Sequence, residues 1–383
     1  MPGQLLAPNA SMGSAGRPLP QATNQQQAGN GPFIRYARPA NRVGYQYVSP
    51  ANPFGQLVTN PLPQAPGYLR YLNVTTQMQG NAGTGGTGAA DAPYNFYTFV
   101  MFKDAWGTPL IIGDGYRILY LITKYAGMAG LFTAATIANL PSWSAIAATG
   151  AFAFRARLAL EGVTGYGVVS IGSASLLPTL QLNTGSSAQL FSVAPSVAPG
   201  PVTISVDEAF YDVDPNNPVQ PPGNGSTFQA SVITGNQNFG AGSASRVQLP
   251  RTGGYLTVVI LDVRDANNAR QDVWNSTGRI QLYIDGVPRF DESFGEAVDR
   301  MFEESAGVVR DTGILVYSFK NSLSQVQLGL LDTLETSLQT TSGSQLEVQM
   351  APWGSGGTPP YTLSATLVQL VPAGPIMQGL NEV

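Results

Sequence analysis

The segment LPQAPGYL at residues 62–69 recurs as LPRTGGYL at residues 249–256, and five of its eight residues are identical after a shift of 187 positions. Each copy leads into an apolar run, 68–76 in the first case and 255–263 in the second, which predicts a β-strand. The repeat therefore stands at the start of two strand-rich blocks. We interpret the chain as an internal duplication.

Apolar and polar residues alternate outward from both copies, as they do in strands that are buried on one face. This period of two runs through residues 152–160, 279–285 and 345–350. The run 255–263 is apolar on both faces, which predicts a central strand. With six or seven candidate strands in each block, the sequence predicts an all-β chain of two eight-stranded sandwiches in tandem.

The same patterns divide the chain into four segments. Residues 1–44 are rich in Gln, Asn, Gly, Ala and Pro, a composition that predicts a flexible arm. The first sandwich is predicted at 45–213 and the second at 246–383. Residues 214–245, which include DPNNPVQPPGNG, predict a Pro/Gly-rich connector between them.

One segment, 291–305, has the period of an amphipathic helix. Ser293 and Glu296 form a capping-box pattern at its start. Its predicted apolar face carries Phe294, Val298, Met301 and Phe302, and we expect Phe302 to be buried there. Its predicted solvated face carries charged residues: Glu292, Glu296, Asp299, Arg300, Glu303 and Glu304. Residues 129–138 predict a second, weaker helix.

The composition argues against most enzyme designs. The chain has no cysteine and no histidine, so disulfides, thiol nucleophiles and the commonest general base are excluded. Only 11% of its residues are charged, although 43% are apolar. Interface cores are depleted of charge, so this balance suits a subunit that buries its sides against neighbours. No catalytic, metal or cofactor site is predicted.

Charge is divided unevenly along the chain. Residues 1–90 contain five arginines and no acidic residue, whereas the remainder carries more acidic than basic side chains. Four of these arginines, Arg17, Arg35, Arg38 and Arg42, lie in the predicted arm. Two interpretations stay open: a solvated tail, or an arm that faces an anionic partner such as lipid headgroups or nucleic acid. Four arginines are sparse for neutralising a genome, which favours lipid.

Three local motifs imitate functional sites. Residues 83–88 (GTGGTG) satisfy the GxGxxG pattern, but a strand is predicted after them instead of the helix that a dinucleotide site needs, so we predict a loop. Asp212, Asp214 and Asn216 imitate the opening of a calcium loop, but position twelve of that loop is Gly223 instead of the required glutamate. A polar connector turn is the favoured interpretation, and a non-EF cation site stays open.

Paired carboxylates and exposed tryptophans would be the signs of a carbohydrate-active protein. Glu347 is predicted on the exposed face of a strand and Glu303 and Glu304 on the polar face of a helix, so solvation is favoured over glycoside hydrolysis. Three tryptophans could stack on sugars in an adhesin, although core or interface packing is their commoner role: Trp143, Trp274 and Trp353.

No export signal or membrane span is expected from the sequence. The N-terminus lacks a positively charged region followed by an apolar one. The uncharged stretch 125–154 contains Asn139, Pro141 and many small polar residues, so it offers no run of about 20 strongly apolar residues.

The arm, the paired LPxxxGYL strand openings, the Pro-rich connector and the late helix together resemble one family. It is that of the double jelly-roll major capsid proteins of tailless, membrane-containing (tectivirus-like) phages, within the adenovirus hexon lineage. The resemblance covers residues 45–372 and implies two jelly rolls per chain. It also implies homotrimers that form pseudo-hexagonal capsomers of an icosahedral virion, with the arm facing an internal membrane.

The resulting functional expectation is a structural coat protein with no cofactor. The resemblance implies other copies of the chain and an internal lipid membrane as partners, admits minor capsid or penton proteins, and does not favour direct nucleic-acid contact. It places the protein in the virion after synthesis and assembly in the host cytoplasm. The alternative is a virion or surface β-sandwich adhesin that binds glycans; an enzyme ranks third.

Overall fold

The computed structural model describes residues 37–125, 144–161, 167–172, 176–214, 221, 227–304, 309–319 and 338–371. The first block contains β1 Arg38–Val48, β2 Leu57–Pro61, β3 Gly67–Met78, β4 Thr87–Gly88, β5 Tyr97–Lys103, β6 Pro109–Gly113, β7 Phe152–Ala159, β8 Val169–Ser170, β9 Thr179–Thr184, β10 Phe191–Val193 and β11 Val202–Asp212. The second contains β12 Thr227–Phe239, β13 Ser245–Arg264, β14 Arg279–Ile284, β15 Val287–Ser293, β16 Ile314–Ser318, β17 Leu338–Ala351 and β18 Tyr361–Val371.

Helices are short and few among these residues. A 3-10 turn spans Tyr94–Phe96, and a π-helix at Tyr116–Leu121 continues into α1, Ile122–Tyr125. We call residues 116–125 the first inserted helix. The others are α2, Ser187–Leu190, and α3, Phe294–Glu304.

The first block is a sandwich of eight main strands, and its short strands β4 and β10 pair separately as a two-stranded sheet. One sheet has the strand order β1-β11-β3-β7, with the short β8 beside β3, and the other has the order β2-β9-β5-β6. Apolar residues at every second position turn inward, so that Leu72, Val74 and Phe154 of the first sheet are buried. A hydrogen bond of 2.7 Å joins Thr76 of β3 to the Tyr97 hydroxyl of β5 across the core.

The second block repeats this arrangement strand for strand. Its sheets have the orders β12-β18-β13-β16 and β13-β17-β14-β15. The strand β13 contributes to both, because Ser245–Leu249 pair with β17 while Val258–Asp262 pair with β16 and β18. Counting its two halves separately gives eight strands. Each block therefore has the eight-strand arrangement of a jelly roll, and the predicted fold class is confirmed.

The two sandwiches share one continuous sheet. The strands β6 and β12 pair in parallel, with Ala230 opposite Ile111 and Ser231 opposite Ile112. This pairing joins the second sheet of the first sandwich to the first sheet of the second, in the order β15-β14-β17-β13-β18-β12-β6-β5-β9-β2.

The repeated LPxxxGYL segment occupies the same corner of both sandwiches. It leads from β2 into β3 in the first and forms the bend within β13 in the second. Gly67 has a φ of 145° and Gly254 a φ of 104°, conformations that L-residues rarely adopt. A Cβ on Gly67 would lie 1.8 Å from the Tyr211 carbonyl oxygen. The duplication thus preserves a backbone corner that depends on glycine.

A β-bulge follows the repeated segment at equivalent positions. Pairing with β11 skips Arg70 in β3, and pairing with β18 skips Thr257 in β13. These two residues are also 187 positions apart, so the repeat sets the register of the whole strand. By this register Tyr71, Asn73 and Thr75 correspond to Val258, Ile260 and Asp262.

Several predictions differ from the structure at the level of elements. The strand β1 begins at Arg38, inside the predicted arm, and β12 lies inside the predicted connector. Both are supported by pairing with neighbours, which the local composition does not reveal. The four domain limits themselves stay predictions. The predicted helix at 129–138 lies outside the described residues.

The late helix forms, but it is shorter and oriented differently from the prediction. Residues up to Ser293 belong to β15, and the capping box forms as expected: the Ser293 amide donates to the Glu296 carboxylate at 2.6 Å. Ala297 and Met301 are buried, whereas Phe302 is 57% exposed. The prediction that Phe302 is buried is wrong, because the helix packs through the neighbouring stripe.

Candidate functional site

The joint between the two sandwiches holds the most concentrated set of charged side chains in the described residues. The first inserted helix lies there, following β6. Asp114 stands at its start and accepts hydrogen bonds from the Arg117 amide at 3.0 Å and the Arg117 guanidinium at 2.7 Å. These bonds orient Arg117 toward the second sandwich.

Arg117 contacts Asp262 of β13 across the joint, with 2.7 Å between the guanidinium and the carboxylate. The same carboxylate accepts a bond from Arg264 at 2.8 Å. Arg264 in turn reaches back to Asp91 of the first sandwich at 2.6 Å, and Arg270 binds Asp91 at 2.8 Å. Alternating charges therefore run from one sandwich to the other and back.

A second cross-joint group surrounds Asp311, which lies between α3 and β16. Lys124 of the first inserted helix binds its carboxylate at 2.7 Å, and the Tyr125 hydroxyl donates to it at 3.0 Å. The Asp311 amide donates to the Tyr125 oxygen at 2.8 Å. Burial lowers the pKa of Lys124, and Asp311 offsets this only in part.

Four cations and four carboxylates balance at this joint: Arg117, Lys124, Arg264 and Arg270 with Asp91, Asp114, Asp262 and Asp311. Burial alone would disfavour the charge on Arg264, but Asp262 and Asp91 outweigh that effect and raise its pKa. Tyr116 lies against the guanidinium groups of Arg264 and Arg270, at 5.5 and 5.0 Å from its ring centroid. Removing one partner from such a buried network costs about 3–5 kcal/mol, so we expect the joint to depend on each of these charges.

The sequence reasoning did not identify this joint. Asp262 is the signal that could have found it, because it is a lone carboxylate in a strand that is otherwise apolar on both faces. A buried carboxylate requires a cation. Arg117 and Lys124, seven residues apart on one helical face, are the matching signal in the first sandwich.

The predicted arm arginines are distributed differently. Arg17 and Arg35 lie outside the described residues. Arg38 is exposed on β1, opposite Asp212 of β11. Arg42 instead binds the buried Glu208 at 2.6 Å and donates to the Gln64 carbonyl at 2.6 Å. Its charge therefore serves the first sandwich.

The glycine-rich motif and the calcium-loop-like motif are the subject of two further sequence predictions. The glycine-rich residues 83–88 form a loop that ends in the short β4, followed by a single 3-10 turn before β5. Asp212 ends β11 and Asn216 lies outside the described residues. Within the described residues there is no group of three or more side chains suited to hold a metal ion.

Glu347 and two of the tryptophans are buried. Glu347 binds Arg246 at 2.9 Å and accepts a bond from Gln248 at 3.0 Å, so the prediction of an exposed face is wrong there. Trp274 and Trp353 pack against each other with ring centroids 5.5 Å apart. The Trp353 indole donates to the Ser245 carbonyl at 3.1 Å. They are therefore core residues, and Trp143 lies outside the described residues.

The described part of the chain holds no helix of the length and apolarity that a bilayer crossing requires.

No family model and no curated protein sequence matches this chain. Its fold, in contrast, is similar to solved viral capsid structures. The crystal structure of the major capsid protein of Sulfolobus turreted icosahedral virus (STIV) gives a TM-score of 0.58 at 13% identity, covering 88% of this chain and 97% of that chain. The quasi-atomic model of the PBCV-1 virus capsid gives 0.60 at 13% identity, with 88% and 94% covered.

The major capsid protein of bacteriophage PM2 is a third such structure, with a TM-score of 0.50 at 10% identity and coverage of 88% and 98%. At these identities the similarity establishes the fold. The chain has the double jelly-roll fold that is found in viral major capsid proteins.

Proposed function

We propose that this chain is a structural coat subunit, the major capsid protein of an icosahedral virion. The observation that carries the proposal is the pair of complete jelly rolls fused through one continuous sheet and a charge-balanced joint. Such a unit suits a shell wall, and the structures similar to it over 88% of its length are capsid proteins. A structural role is accordingly favoured over an enzymatic one.

The proposed assembly unit is a homotrimer of about 121 kDa, formed by three chains of 40.3 kDa and closed by cyclic symmetry. Six jelly rolls would then surround the axis as a pseudo-hexagonal capsomer. Light scattering and electron microscopy of the purified protein test this together. A trimer mass with six-lobed particles supports the proposal, and a stable monomer at micromolar concentration contradicts it.

We assign the arm to an internal membrane surface, with Arg17, Arg35 and Arg38 as the headgroup contacts. Near an anionic leaflet each arginine contributes about 1 kcal/mol, enough for reversible attachment. Arg42 is excluded from this role because Glu208 holds it. Minor capsid or penton proteins are further candidate partners, and direct contact with nucleic acid is not proposed.

Flotation with anionic vesicles tests the arm. Deleting residues 1–36 leaves β1 intact and removes Arg17 and Arg35, so it should strongly weaken vesicle binding while thermal unfolding is unchanged. Replacing Arg17, Arg35 and Arg38 by Gln should have the same effect. The matched control, Arg42→Gln, should lower stability and leave vesicle binding unaltered. Equal binding by the truncated chain would reject the membrane assignment.

The alternative of a glycan-binding adhesin is less favoured, because two of its three candidate tryptophans, Trp274 and Trp353, are buried and pack against each other.

A further inference from the structure

The joint between the sandwiches consists of two contacts that follow one another along the chain. The edge of the first sandwich pairs with the second through β6 and β12. The first inserted helix, which follows β6 directly, then docks on the outer face of the β12-β18-β13-β16 sheet, where Asp262 and Arg264 receive it.

The second sandwich carries the equivalents of both donor elements, and within the described part of a single chain neither contacts another sandwich. The strand β15 corresponds to β6 and, among the described strands, forms the edge of the long sheet. The helix α3 corresponds to the first inserted helix, because each follows that edge strand. Each also bonds a backbone carbonyl of the next strand: Thr123 donates to Arg157 and Arg300 to Val316.

The free side of α3 is acidic with an apolar centre. Its exposed residues recur every three or four positions and form one stripe: Glu296, Asp299, Phe302 and Glu303. An exposed phenylalanine between three carboxylates is an unusual helix surface, since large aromatic side chains contribute most when they are buried. On the first inserted helix the corresponding side is covered by the second sandwich.

The first sandwich carries the equivalents of both receiving elements. The strand β1 corresponds to β12 and, as far as the described residues extend, is an edge of the β1-β11-β3-β7 sheet, with Val43 69% exposed. On the outer face of this sheet Tyr71, Asn73 and Thr75 stand where the second sandwich has Val258, Ile260 and Asp262. That second set is buried, whereas in the first set Asn73 is buried and Tyr71 and Thr75 are half-buried.

Helix α3 and the outer face of the β1-β11-β3-β7 sheet carry opposite charges. Their signs are reversed relative to those of the helix and the face that meet at the joint. At the joint a helix with Arg117 and Lys124 meets Asp262 and Asp311. On the corresponding face of the first sandwich Arg155 and Arg157 of β7 stand opposite Thr75 and Asn73, and Asp207 of β11 is paired with Asn73. Arg155 is exposed, and Arg157 is half-buried with its guanidinium 4.0 Å from the centroid of the Tyr71 ring.

We infer that the second sandwich of one copy binds the first sandwich of the next copy through the same geometry as the joint. In this contact β15 pairs with the partner's β1 edge, Phe302 packs on the outer face of the β1-β11-β3-β7 sheet, and the α3 carboxylates meet Arg155 and Arg157. The inference rests on the proposed coat function and assigns residues to its subunit contact. Reversed charges prevent α3 from docking where the first inserted helix belongs.

This contact is heterologous, and it closes a ring when the repeated rotation returns to the first copy. Suppose that one rotation relates the two sandwiches within a chain and also the adjoining sandwiches of neighbouring chains. Three chains then place six equivalent sandwiches around one axis.

Sedimentation of charge variants of the full chain tests the inference. Reversing Arg155 and Arg157 to Glu, or Asp299 and Glu303 to Lys, should raise the concentration at which the assembly dissociates by about 100-fold or more, since each close charge pair in an interface contributes roughly tenfold or more. The chain that carries all four reversals should regain most of the lost association. Lys103→Glu on β5, outside the contact, is the matched control and should leave association unchanged.

Thermal unfolding of each variant distinguishes misfolding from a lost contact. The variant with all four charge reversals should regain association, which misfolding cannot produce. The contact is overturned if the trimer persists in both double-reversal variants. It is also overturned if the variant with all four reversals is folded but stays dissociated. Neither result contradicts the coat function. A wild-type chain that remains monomeric overturns both.

Discussion

The two inserted helices occupy the same place in two copies of one fold, yet their surfaces are opposite in kind. The first inserted helix is wedged between the sandwiches and carries Arg117 and Lys124 to buried carboxylates. The helix α3 packs on its own sandwich through Ala297 and Met301 and presents carboxylates with Phe302 to solvent. Duplication has thus kept the backbone plan while the outward surfaces diverged.

The same contrast holds for the two receiving faces. The receiving face of the second sandwich carries the buried Asp262. The face of the first sandwich is more open, with Arg155 exposed and Arg157 half-buried. Buried strand pairing and the glycine corner are constrained by the fold, since any change disturbs a core. Outer faces are constrained only by what they contact. Their divergence therefore indicates that the two faces contact different surfaces.

The largest expected effect comes from uncoupling the joint. Asp262→Ala removes the carboxylate that Arg117 and Arg264 share, leaving both guanidinium groups buried with one partner fewer. We expect a loss of about 3–5 kcal/mol in the free energy of unfolding. Thr75→Ala, at the equivalent position of the open face, should change it by only about 0.5 kcal/mol. Urea unfolding at one protein concentration measures both, and equal losses would contradict the comparison.

The glycine corner should give the next largest effect. Gly67→Ala introduces a Cβ that clashes with the Tyr211 carbonyl at a φ of 145°, so we expect a loss of about 3 kcal/mol or more. Gly55, with a φ of 69° and open space around its Cβ position, is the control, and its alanine variant should lose about 1 kcal/mol.

Gly254→Ala tests whether the second corner has the same requirement. A cost comparable to that of Gly67→Ala would show that both copies depend on glycine. A neutral result would limit that requirement to the first sandwich.

Alanine substitutions at two neighbouring residues of α3 should differ in their effect on the stability of the chain, by a smaller amount than the changes above. Met301 is buried, and Met301→Ala should cost about 2–4 kcal/mol. Phe302→Ala should change the free energy of unfolding of the isolated chain by less than about 1 kcal/mol, because its ring is mostly exposed. Thermal unfolding of the monomer distinguishes the two. A large loss for Phe302 in the monomer would place its ring inside the chain's own core.

How far the sequence predicts this molecule depends on whether the information is local. Alternation of apolar residues and the LPxxxGYL repeat predicted the β class, the duplication and both strand openings, because these patterns follow from the geometry of one strand. The strand β1 escaped prediction because it is stabilised by β11, more than 150 residues away. Phe302 was misplaced because a stripe one residue away fits the helical period equally well.

The joint escaped prediction for a related reason. Its ion pairs connect residues such as Arg117 and Asp262, which are 145 positions apart. The burial of Glu347 beside Arg246 is likewise a consequence of strand pairing. No local pattern specifies which distant cation meets which carboxylate.

The smallest effect at neutral pH, and a distinct one at high pH, is expected for Tyr116 of the first inserted helix. Burial raises its pKa, and its hydroxyl has no hydrogen-bond partner among the described residues. Tyr116→Phe should therefore change the neutral-pH stability by no more than about 1 kcal/mol, and in the stabilising direction.

Above pH ~10 the unfolded chain ionises this tyrosine while the folded chain does not, so the wild type loses stability as the pH rises. The variant lacks that loss, and its advantage should grow with pH. Lys124, whose pKa is lowered, acts in the opposite direction in both proteins and cancels from the difference. Urea midpoints of the two proteins at pH 7 and pH 11 measure the effect, and a constant difference would show that Tyr116 ionises freely in the folded joint.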